Sequence, residues 1–151
     1  MAKRWVTVNR NKHCVYRLDY HMVFVVKYRR PCITEEMGEA FVRCAAGIAE
    51  KKGGKLLEGK ADKDHLHLLI SLPPALNLAD VIGSLKMATS KVARYHFRED
   101  VEKYLWEDKF WSPSYYVVSA GGANLDTLQR YIENQGMKPR DKNVSRGETV
   151  S

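Results

Sequence analysis

Residues 64–74 read D-H-L-H-L-L-I-S-L-P-P, and the expected fold follows from this stretch. Leu and Ile dominate it and two prolines end it, which predicts a buried β-strand from His65 to Leu72. A shorter run just upstream, Lys55–Lys60, predicts a second strand. The two strands can pair as a β-hairpin.

Two histidines stand one residue apart in the predicted strand. Side chains alternate between the two faces of a strand, so His65 and His67 project from one face and Leu66 from the other. Two imidazoles on one face can hold a metal ion from two directions. The chain has five histidines, so this spacing also arises by chance. Two polar residues on an exposed sheet face are the alternative interpretation.

The sequence upstream predicts a strand followed by a helix. Tyr16–Lys27 is dense in Val, Phe and Tyr, which favours a long strand. Thr34, followed by two glutamates, suits the start of a helix, and Gly53 and Gly54 suit its end. The apolar stripe of this helix comprises Phe41, Cys44, Ala45, Ile48 and Ala49.

The sequence downstream predicts two more helices and one more strand. Asn77 caps the second helix, with Asp80 at the third position of the first turn. Its apolar stripe comprises Val81, Leu85, Ala88, Val92 and Tyr95, and its basic face comprises Lys91, Arg94 and Arg98. Tyr115–Ser119 follows as a strand. The last helix spans about 124–137, with Asn124 as its cap and Leu125, Leu128 and Ile132 as its stripe.

The order strand, helix, strand, strand, helix, strand, helix predicts an α+β fold. Its expected form is an antiparallel sheet with helices packed on it, as in ferredoxin-like domains. Residues 1–140 are expected to form one domain, because 151 residues suit a single core. Residues 141–151 are polar and non-periodic, which predicts a loose tail.

The composition favours a basic globular protein. Lys and Arg number 25 against 18 Asp and Glu, a formal charge of +7 that favours polyanionic partners such as nucleic acid. Three cysteines without C-x-x-C spacing indicate reduced thiols and not a disulfide framework. No segment resembles a signal peptide or a membrane span, so we expect a soluble, cytoplasmic protein that associates with the nucleoid when it acts.

Two chemically useful residues share one face of the last predicted helix. Tyr131 and Gln135 are four residues apart and lie off the apolar stripe. A tyrosine at such a position is also compatible with simple packing, because the chain has eight of them. The helix pattern does not decide between these two interpretations.

Three sequence blocks together resemble one known family. They are Y-H-M-V-F-V-V-K-Y-R-R at 20–30, D-H-L-H-L-L-I-S-L-P-P at 64–74 and Y-I-E-N-Q at 131–135. S-L-K at 84–86 and W-S-P-S-Y-Y at 111–116 lie between them. In this order the blocks resemble the small HUH single-tyrosine transposases of bacterial and archaeal insertion sequences, over roughly residues 16–139.

The resemblance implies an activity and a site. By it, Tyr131 is the nucleophile, and His65, His67 and Gln135 are the metal ligands. The implied ion is Mg²⁺, with Mn²⁺ as a substitute. The implied reaction cleaves and rejoins single-stranded DNA with hairpin ends through a 5′-phosphotyrosine. The resemblance also implies a homodimer in which the Tyr131 helix of one chain can complete the His65 and His67 site of the other.

Basic residues near aromatic ones are candidate DNA contacts, since Lys and Arg bind phosphates and aromatic rings stack on bases. An ordinary solvated surface is the alternative. The candidates are Lys27, Arg29, Arg30, Lys86, Lys91 and Arg94.

A nucleotide-binding loop is excluded. Gly54, Gly59 and Lys60 match G-x-x-x-x-G-K, but Ala61 replaces the Ser or Thr that would hold Mg²⁺. The segment is also predicted to be a strand that precedes another strand, where a phosphate loop would precede a helix.

Three rival functions remain open. A nucleic-acid-binding module would fit a ferredoxin-like sheet but would give no reason for the histidine pair with Tyr131 and Gln135. A metal-dependent hydrolase would use activated water and leave Tyr131 idle. An HUH nickase of replication or conjugation would share the chemistry, although such chains are usually larger.

Overall fold

The computed structural model of the protein describes residues 9–10, 14–106, 109–120 and 132–134. Two short strands, β1 (Asn9–Arg10) and β2 (Val15–Tyr16), pair with each other. A four-stranded sheet contains β3 (Asp19–Val25), β4 (Lys55–Ala61), β5 (His65–Ser71) and β6 (Tyr116–Ser119). Its order is β4-β5-β3-β6, and each neighbouring pair is antiparallel.

The helices are α1 (Glu35–Lys51), α2 (Leu78–His96) and the short α3 (Arg98–Glu102). The Thr34 hydroxyl accepts a hydrogen bond from the Met37 amide at 3.1 Å, and the Asn77 side chain accepts one from the Asp80 amide at 3.2 Å. These bonds satisfy amides that have no partner in the first turn of a helix. Both predicted helix starts are confirmed. Gly53, with φ of +85°, follows α1 as predicted.

The predicted fold class is confirmed. The first strand of the sheet, β3, is followed by α1, and the β4–β5 hairpin is followed by α2, which leads through α3 to β6. This is the split βαβ arrangement of ferredoxin-like domains. The G-x-x-x-x-G-K match begins at Gly54 and continues into β4, so that its last six residues form a strand, as expected.

The core lies between one face of the sheet and the helices. Leu66, Leu68 and Ile70 of β5 are fully buried there. They pack with the buried face of α1, which comprises Met37, Gly38, Phe41, Ala45 and Ala49. Phe110 and Trp111 pack edge-on against each other and contact Phe41. The described residues thus form one apolar core under one layer of helices.

Three details of the sequence analysis are corrected. The predicted strand Tyr16–Lys27 is broken at residues 17–18, and β3 ends at Val25 because Lys27 enters a tight turn. Tyr95 was expected in the apolar stripe of α2, yet it is 75% exposed. The buried face of α2 instead includes Ile82, Thr89 and Ala93, which shifts the buried stripe away from Tyr95. The sequence analysis also did not predict α3.

Cys14, Cys32 and Cys44 form no disulfide with one another. Within the described ranges, no helix combines the length and the hydropathy needed to cross a bilayer. The predicted domain limit at residue 140, the tail 141–151 and most of the helix 124–137 lie outside the described residues; within that helix, residues 132–134 are described and helical.

Candidate active site

The histidine pair lies on β5, a central strand bonded on both sides. His65 pairs with Val25 of β3, and His67 pairs with Val23 of β3 and Lys60 of β4. Leu66 is fully buried towards the helices, whereas both histidines are half-buried on the opposite face. The expectation that they share one face is confirmed. They are not on a fully exposed surface, because the rest of the fold covers part of each ring.

Asp64 fixes the orientation of the His65 ring. One carboxylate oxygen lies 2.9 Å from His65 Nδ1, and the other accepts a hydrogen bond of 2.8 Å from Arg29 Nε. Burial raises the pKa of Asp64. The hydrogen bonds from His65 and Arg29 lower this pKa by more, so it lies below its ordinary value. Asp64 is therefore ionised at neutral pH. Its bond to Nδ1 leaves His65 Nε2 as the ring nitrogen available to a ligand.

A strained turn brings Arg29 to this carboxylate. Tyr28 and Arg29 have φ of +59° and +55°, values in the left-handed region that residues with a Cβ adopt at a cost of about 1 kcal/mol or more each. Backbone bonds hold the turn, from the Lys27 amide to the Phe110 carbonyl and from the Val26 amide to the Asp64 carbonyl, both 2.9 Å. Left-handed backbone at two consecutive non-glycine residues is typical of functional sites.

His21, on β3, contacts the second histidine. Its Nδ1 lies 3.0 Å from His67 Nε2, and the two rings stack with centroids 5.1 Å apart. Burial lowers the pKa of His67, and the neighbouring His21 lowers it further. The neutral imidazole, which is the form that binds metals, is therefore favoured at His67.

The floor beneath the histidines is apolar. Val23 and Val25 are directly opposite His67 and His65 across the β3–β5 ladder, and both are fully buried. Residues opposite each other in a ladder share a face, so these valines lie on the histidine face. An apolar floor limits water and strengthens electrostatic interactions above it.

The residues present fit a divalent ion in three respects. Histidines two residues apart on a strand are separated by roughly 7 Å along it, so their rings can converge on one ion. A carboxylate on the far nitrogen of one ring, as at Asp64, is the usual support of a metal-binding histidine. The neutral form is favoured at His67. Within the described ranges no three His, Cys, Asp or Glu side chains form a metal-binding group.

Tyr131 and Gln135 lie outside the described residues, and their roles stay predictions. The short helical stretch 132–134 between them is described. The carbonyl oxygen of Glu133 lies 3.4 Å from Arg29 Nη1. Arg29 therefore contacts both Asp64 and this stretch, which places residues 132–134 beside the histidine pair.

The six predicted DNA contacts fall into two groups. Lys27, Arg29 and Arg30 lie in or next to the turn beside His65, and the cations of Lys27 and Arg30 approach the Tyr28 ring at 5.3 Å and 5.7 Å. The second group, on α2, comprises Lys86, Lys91 and Arg94.

Two residues of the α2 group are bonded to the protein itself. Lys86 Nζ donates to the carbonyls of Ser112 and Pro113 at 2.8 Å and 3.2 Å, and burial lowers its pKa. Arg94 donates to the Lys109 carbonyl at 2.8 Å. Both side chains thus hold the segment that carries Phe110 and Trp111 against α2.

Sequence reasoning missed two members of the site. Asp64 is adjacent to the histidine pair, but no role was predicted for it. A carboxylate next to a histidine that can bind a metal is nevertheless a recognisable signal. His21 lies 46 residues from His67 along the chain, and only the strand register brings them together. Arg29 was predicted to contact DNA, and the structure additionally gives it the bond to Asp64.

Comparisons with known proteins agree with this architecture. The family described as "Transposase IS200 like" matches residues 14–135. The ISDra2 transposase TnpA of Deinococcus radiodurans is 31% identical over 121 residues, which cover 80% of this chain and 86% of that protein. The transposase of insertion sequence element IS200 from Salmonella typhimurium is 32% identical over 123 residues, covering 82% and 80%.

A crystal structure of a candidate transposase from Deinococcus radiodurans R1 has the same fold. It superposes with a TM-score of 0.77 at 27% identity and covers 86% of this chain and 99% of that one. The family match includes the histidine strand and extends to Gln135. The chain therefore belongs to the IS200-like transposases, of the TnpA type.

Proposed function

We propose that this transposase cleaves and rejoins single-stranded DNA at the ends of an insertion sequence, with Tyr131 as the nucleophile and a divalent ion at His65, His67 and Gln135. The observation that carries the proposal is the chain of contacts from His65 through Asp64 and Arg29 to the Glu133 carbonyl. It links the histidine pair to the stretch between Tyr131 and Gln135.

The proposed reaction is a transesterification. The Tyr131 phenol releases its proton to solvent, its oxygen attacks the scissile phosphorus, the bond from phosphorus to the 3′ oxygen breaks, and that oxygen takes a proton from solvent to leave as a 3′-hydroxyl. The new phosphotyrosine ester keeps the energy of the broken bond, so a DNA hydroxyl can reverse the step without a nucleoside triphosphate. A phenol of pKa about 10 needs a nearby cation or base to become a nucleophile at neutral pH.

The described residues support this chemistry by binding and orientation. Asp64 holds the His65 ring, the burial of His67 keeps it neutral, and the apolar floor restricts water that would compete as a nucleophile. Mg²⁺, or Mn²⁺ in its place, would supply Lewis-acid polarisation of the phosphate oxygens. Lys27 and Arg30 extend positive charge from the site along the turn, where a DNA backbone would pass.

Single-stranded DNA with hairpin ends is the proposed substrate. Membership of an insertion-sequence transposase family supports DNA as the class, and the aromatic and cationic side chains of the turn suit an unpaired strand. Binding should therefore weaken steeply as salt concentration rises, because each phosphate contact releases counterions.

Covalent attachment to DNA tests the nucleophile. Wild-type protein incubated with a labelled single strand and Mg²⁺ should yield a protein–DNA adduct on a denaturing gel. Tyr131→Phe should yield none while its DNA affinity stays within a few-fold, because only a hydroxyl is lost. Tyr104→Phe, at an exposed tyrosine of the helical layer, is the matched control and should form the adduct normally.

The same gel separates the rival functions. Cleavage without an adduct would indicate a hydrolase, and binding without cleavage would indicate a binding module; either result refutes the proposal. His65→Ala and His67→Ala should each abolish metal-dependent cleavage while the protein stays folded. Normal cleavage in both variants would refute the metal site.

We further propose a homodimer in which the helix that carries Tyr131, which the Arg29–Glu133 contact sets beside the histidines of its own chain, can exchange to complete the histidine site of the partner. Gly121 and Gly122 precede this helix, and residues without a Cβ can absorb the backbone change that such an exchange needs. Mixed dimers of Tyr131→Phe with His65→Ala should then regain cleavage, because one of their two sites has both intact parts. Inactivity of mixed dimers that are shown to have formed would place Tyr131 in the site of its own chain.

A further inference from the structure

A groove on the helical layer has a composition that the histidine site does not explain. It encloses about 570 Å³ between the end of α2, the start of α3 and the segment that follows α3. Its lining comprises Ser90, Lys91, Arg94, Tyr95, Arg98, Val101, Glu102 and Trp106. The helical layer covers the Leu66 face of the sheet, so the groove and the histidine pair lie on opposite sides of the protein.

Two exposed aromatic rings line this groove. Trp106 is 84% exposed and Tyr95 is 75% exposed, the two largest values among the large hydrophobic side chains of the described ranges. Isolated exposed apolar residues are ordinary, but two neighbouring exposed aromatic rings at one concave site indicate a surface used in binding. Neither ring is needed to fill the core, because the buried face of α2 is formed by other residues, including Ala93.

The groove is also cationic. Among the described residues that line it, the cations of Lys91, Arg94 and Arg98 outnumber the carboxylate of Glu102, which pairs with Arg98 at 3.0 Å. Arg94 is held by the Lys109 carbonyl, so its guanidinium is fixed at the groove wall. An apolar protein partner would not require this charge, and a polyanion would.

We propose that this groove binds unpaired nucleotides of single-stranded DNA, with Trp106 and Tyr95 stacking on bases and Lys91 and Arg98 contacting phosphates. Aromatic platforms beside cations are the general means of holding single strands. In a base-paired duplex the bases already stack on one another, so the two rings would have no free base face to contact. The volume suits a nucleotide or a few, and not a long tract.

The inference rests on the proposed function and adds to it a second DNA contact remote from the bond that is cut. A strand anchored in the groove on one side of the protein must pass around an edge of the sheet to reach His65 and His67 on the other. The groove thus acts on the part of the DNA that is bound but not cleaved, and it favours substrates with unpaired nucleotides outside the cleavage site.

The test uses the full chain and an oligothymidylate, which cannot form a hairpin. Trp106→Ala and Tyr95→Ala should each weaken binding roughly 10-fold in fluorescence anisotropy, the usual scale for loss of one stacked base. Trp106→Phe keeps an aromatic face and should stay within a few-fold of wild type. Tyr104→Ala, an exposed aromatic change that does not line the groove, should leave affinity unchanged.

Two more readouts are specific to the groove. In a Trp5→Phe background, which leaves the exposed Trp106 and the buried Trp111, oligothymidylate should quench the tryptophan fluorescence, and adding Trp106→Phe should remove that quenching. Lys91→Gln should reduce the steepness of the plot of log binding constant against log salt concentration by about 0.7, the change expected when one phosphate contact on a single strand is lost. Lys51→Gln on α1 is the control.

The proposal is overturned if both alanine variants bind oligothymidylate like wild type, or if Trp106 is not quenched. The proposal is also overturned if the alanine variants lose as much affinity for a plain duplex as for oligothymidylate, because that result would indicate a general electrostatic surface. Loss of self-association in these variants, with DNA affinity intact, would identify a second copy of the chain as the occupant. Failure of the groove leaves adduct formation by Tyr131 untouched, so the two proposals fail separately.

Discussion

Replacing Asp64 by Asn tests how the histidine pair is held, because the substitution keeps the shape of the side chain and removes its charge. The carboxylate accepts from His65 at 2.9 Å with one oxygen and from Arg29 at 2.8 Å with the other. An amide has one acceptor and one donor. If its oxygen faces His65, its NH₂ group meets the N–H of Arg29, and if it is flipped, His65 loses its acceptor.

Either orientation breaks one of the two bonds, and both remove the negative charge that lies against the His65 ring. Loss of such support to a metal-binding histidine typically costs 10- to 100-fold in metal affinity, about 1.4–2.8 kcal/mol. The effect on folding should be smaller, about 1 kcal/mol, because the Arg29 side chain is 35% exposed and its ion pair is partly screened.

Calorimetric titration with Mn²⁺ measures the affinity, and urea unfolding in the absence of metal measures the stability. Asp62→Asn is the matched control, since Asp62 is an exposed carboxylate of the same hairpin that accepts from the Lys63 amide. It should bind Mn²⁺ like wild type. Affinity of folded Asp64→Asn within two-fold of wild type would refute the argument that Asp64 supports a metal ligand.

Two further predictions concern the rest of the fold. Thr89→Val should destabilise the protein by about 1–3 kcal/mol in urea unfolding, because the buried Trp111 Nε1–H donates to the Thr89 hydroxyl at 2.9 Å and would lose its acceptor; an unchanged midpoint would contradict this. Burial raises the pKa of Cys32 to about 11, so its thiol should resist iodoacetamide at pH 8 in the folded protein and react readily in urea, as mapped by mass spectrometry. The pKa of Cys32 in the folded protein exceeds the ordinary value of 9.0. The protonated thiol therefore makes its full contribution to the free energy of unfolding below about pH 9, and this contribution falls as the pH rises towards 11. Cys32→Ala should remove that alkaline loss, and an equal loss in the variant would show that other groups cause it.

The sequence predicted what depends on local chemistry. Thr34 and Asn77 are caps whose bonds form within three residues, and the alternation of His65, Leu66 and His67 is a property of any strand. These features need no knowledge of distant parts of the chain.

The remaining features depend on contacts that no local pattern specifies. The stacking of His21 on His67 is set by the register of β3 against β5, and the turn at Tyr28 and Arg29 has a backbone conformation that their side chains disfavour. Tyr95 was misplaced because the buried positions of α2 after Leu85 recur every fourth residue, at Thr89 and Ala93, whereas the predicted stripe ran through Ala88 and Val92 to Tyr95. Tyr131 and Gln135 were assigned by resemblance and remain predictions.

The pairing register of β5 has a consequence for insertions and deletions. β5 pairs with β3 on one side and with β4 on the other. A shift of β5 by one residue would therefore turn each of its side chains to the opposite face of the sheet. Such a slip would point His65 and His67 at the helices and bring Leu66 and Leu68 to the histidine face. It would bury two imidazoles in an apolar core and expose two leucines, so a chain with the wrong register could not fold stably. Any copy of this protein that reaches the folded state must therefore present both histidines on the correct face, and a single-residue length change in the 62–64 turn should be absorbed by the turn and not by the register of β5.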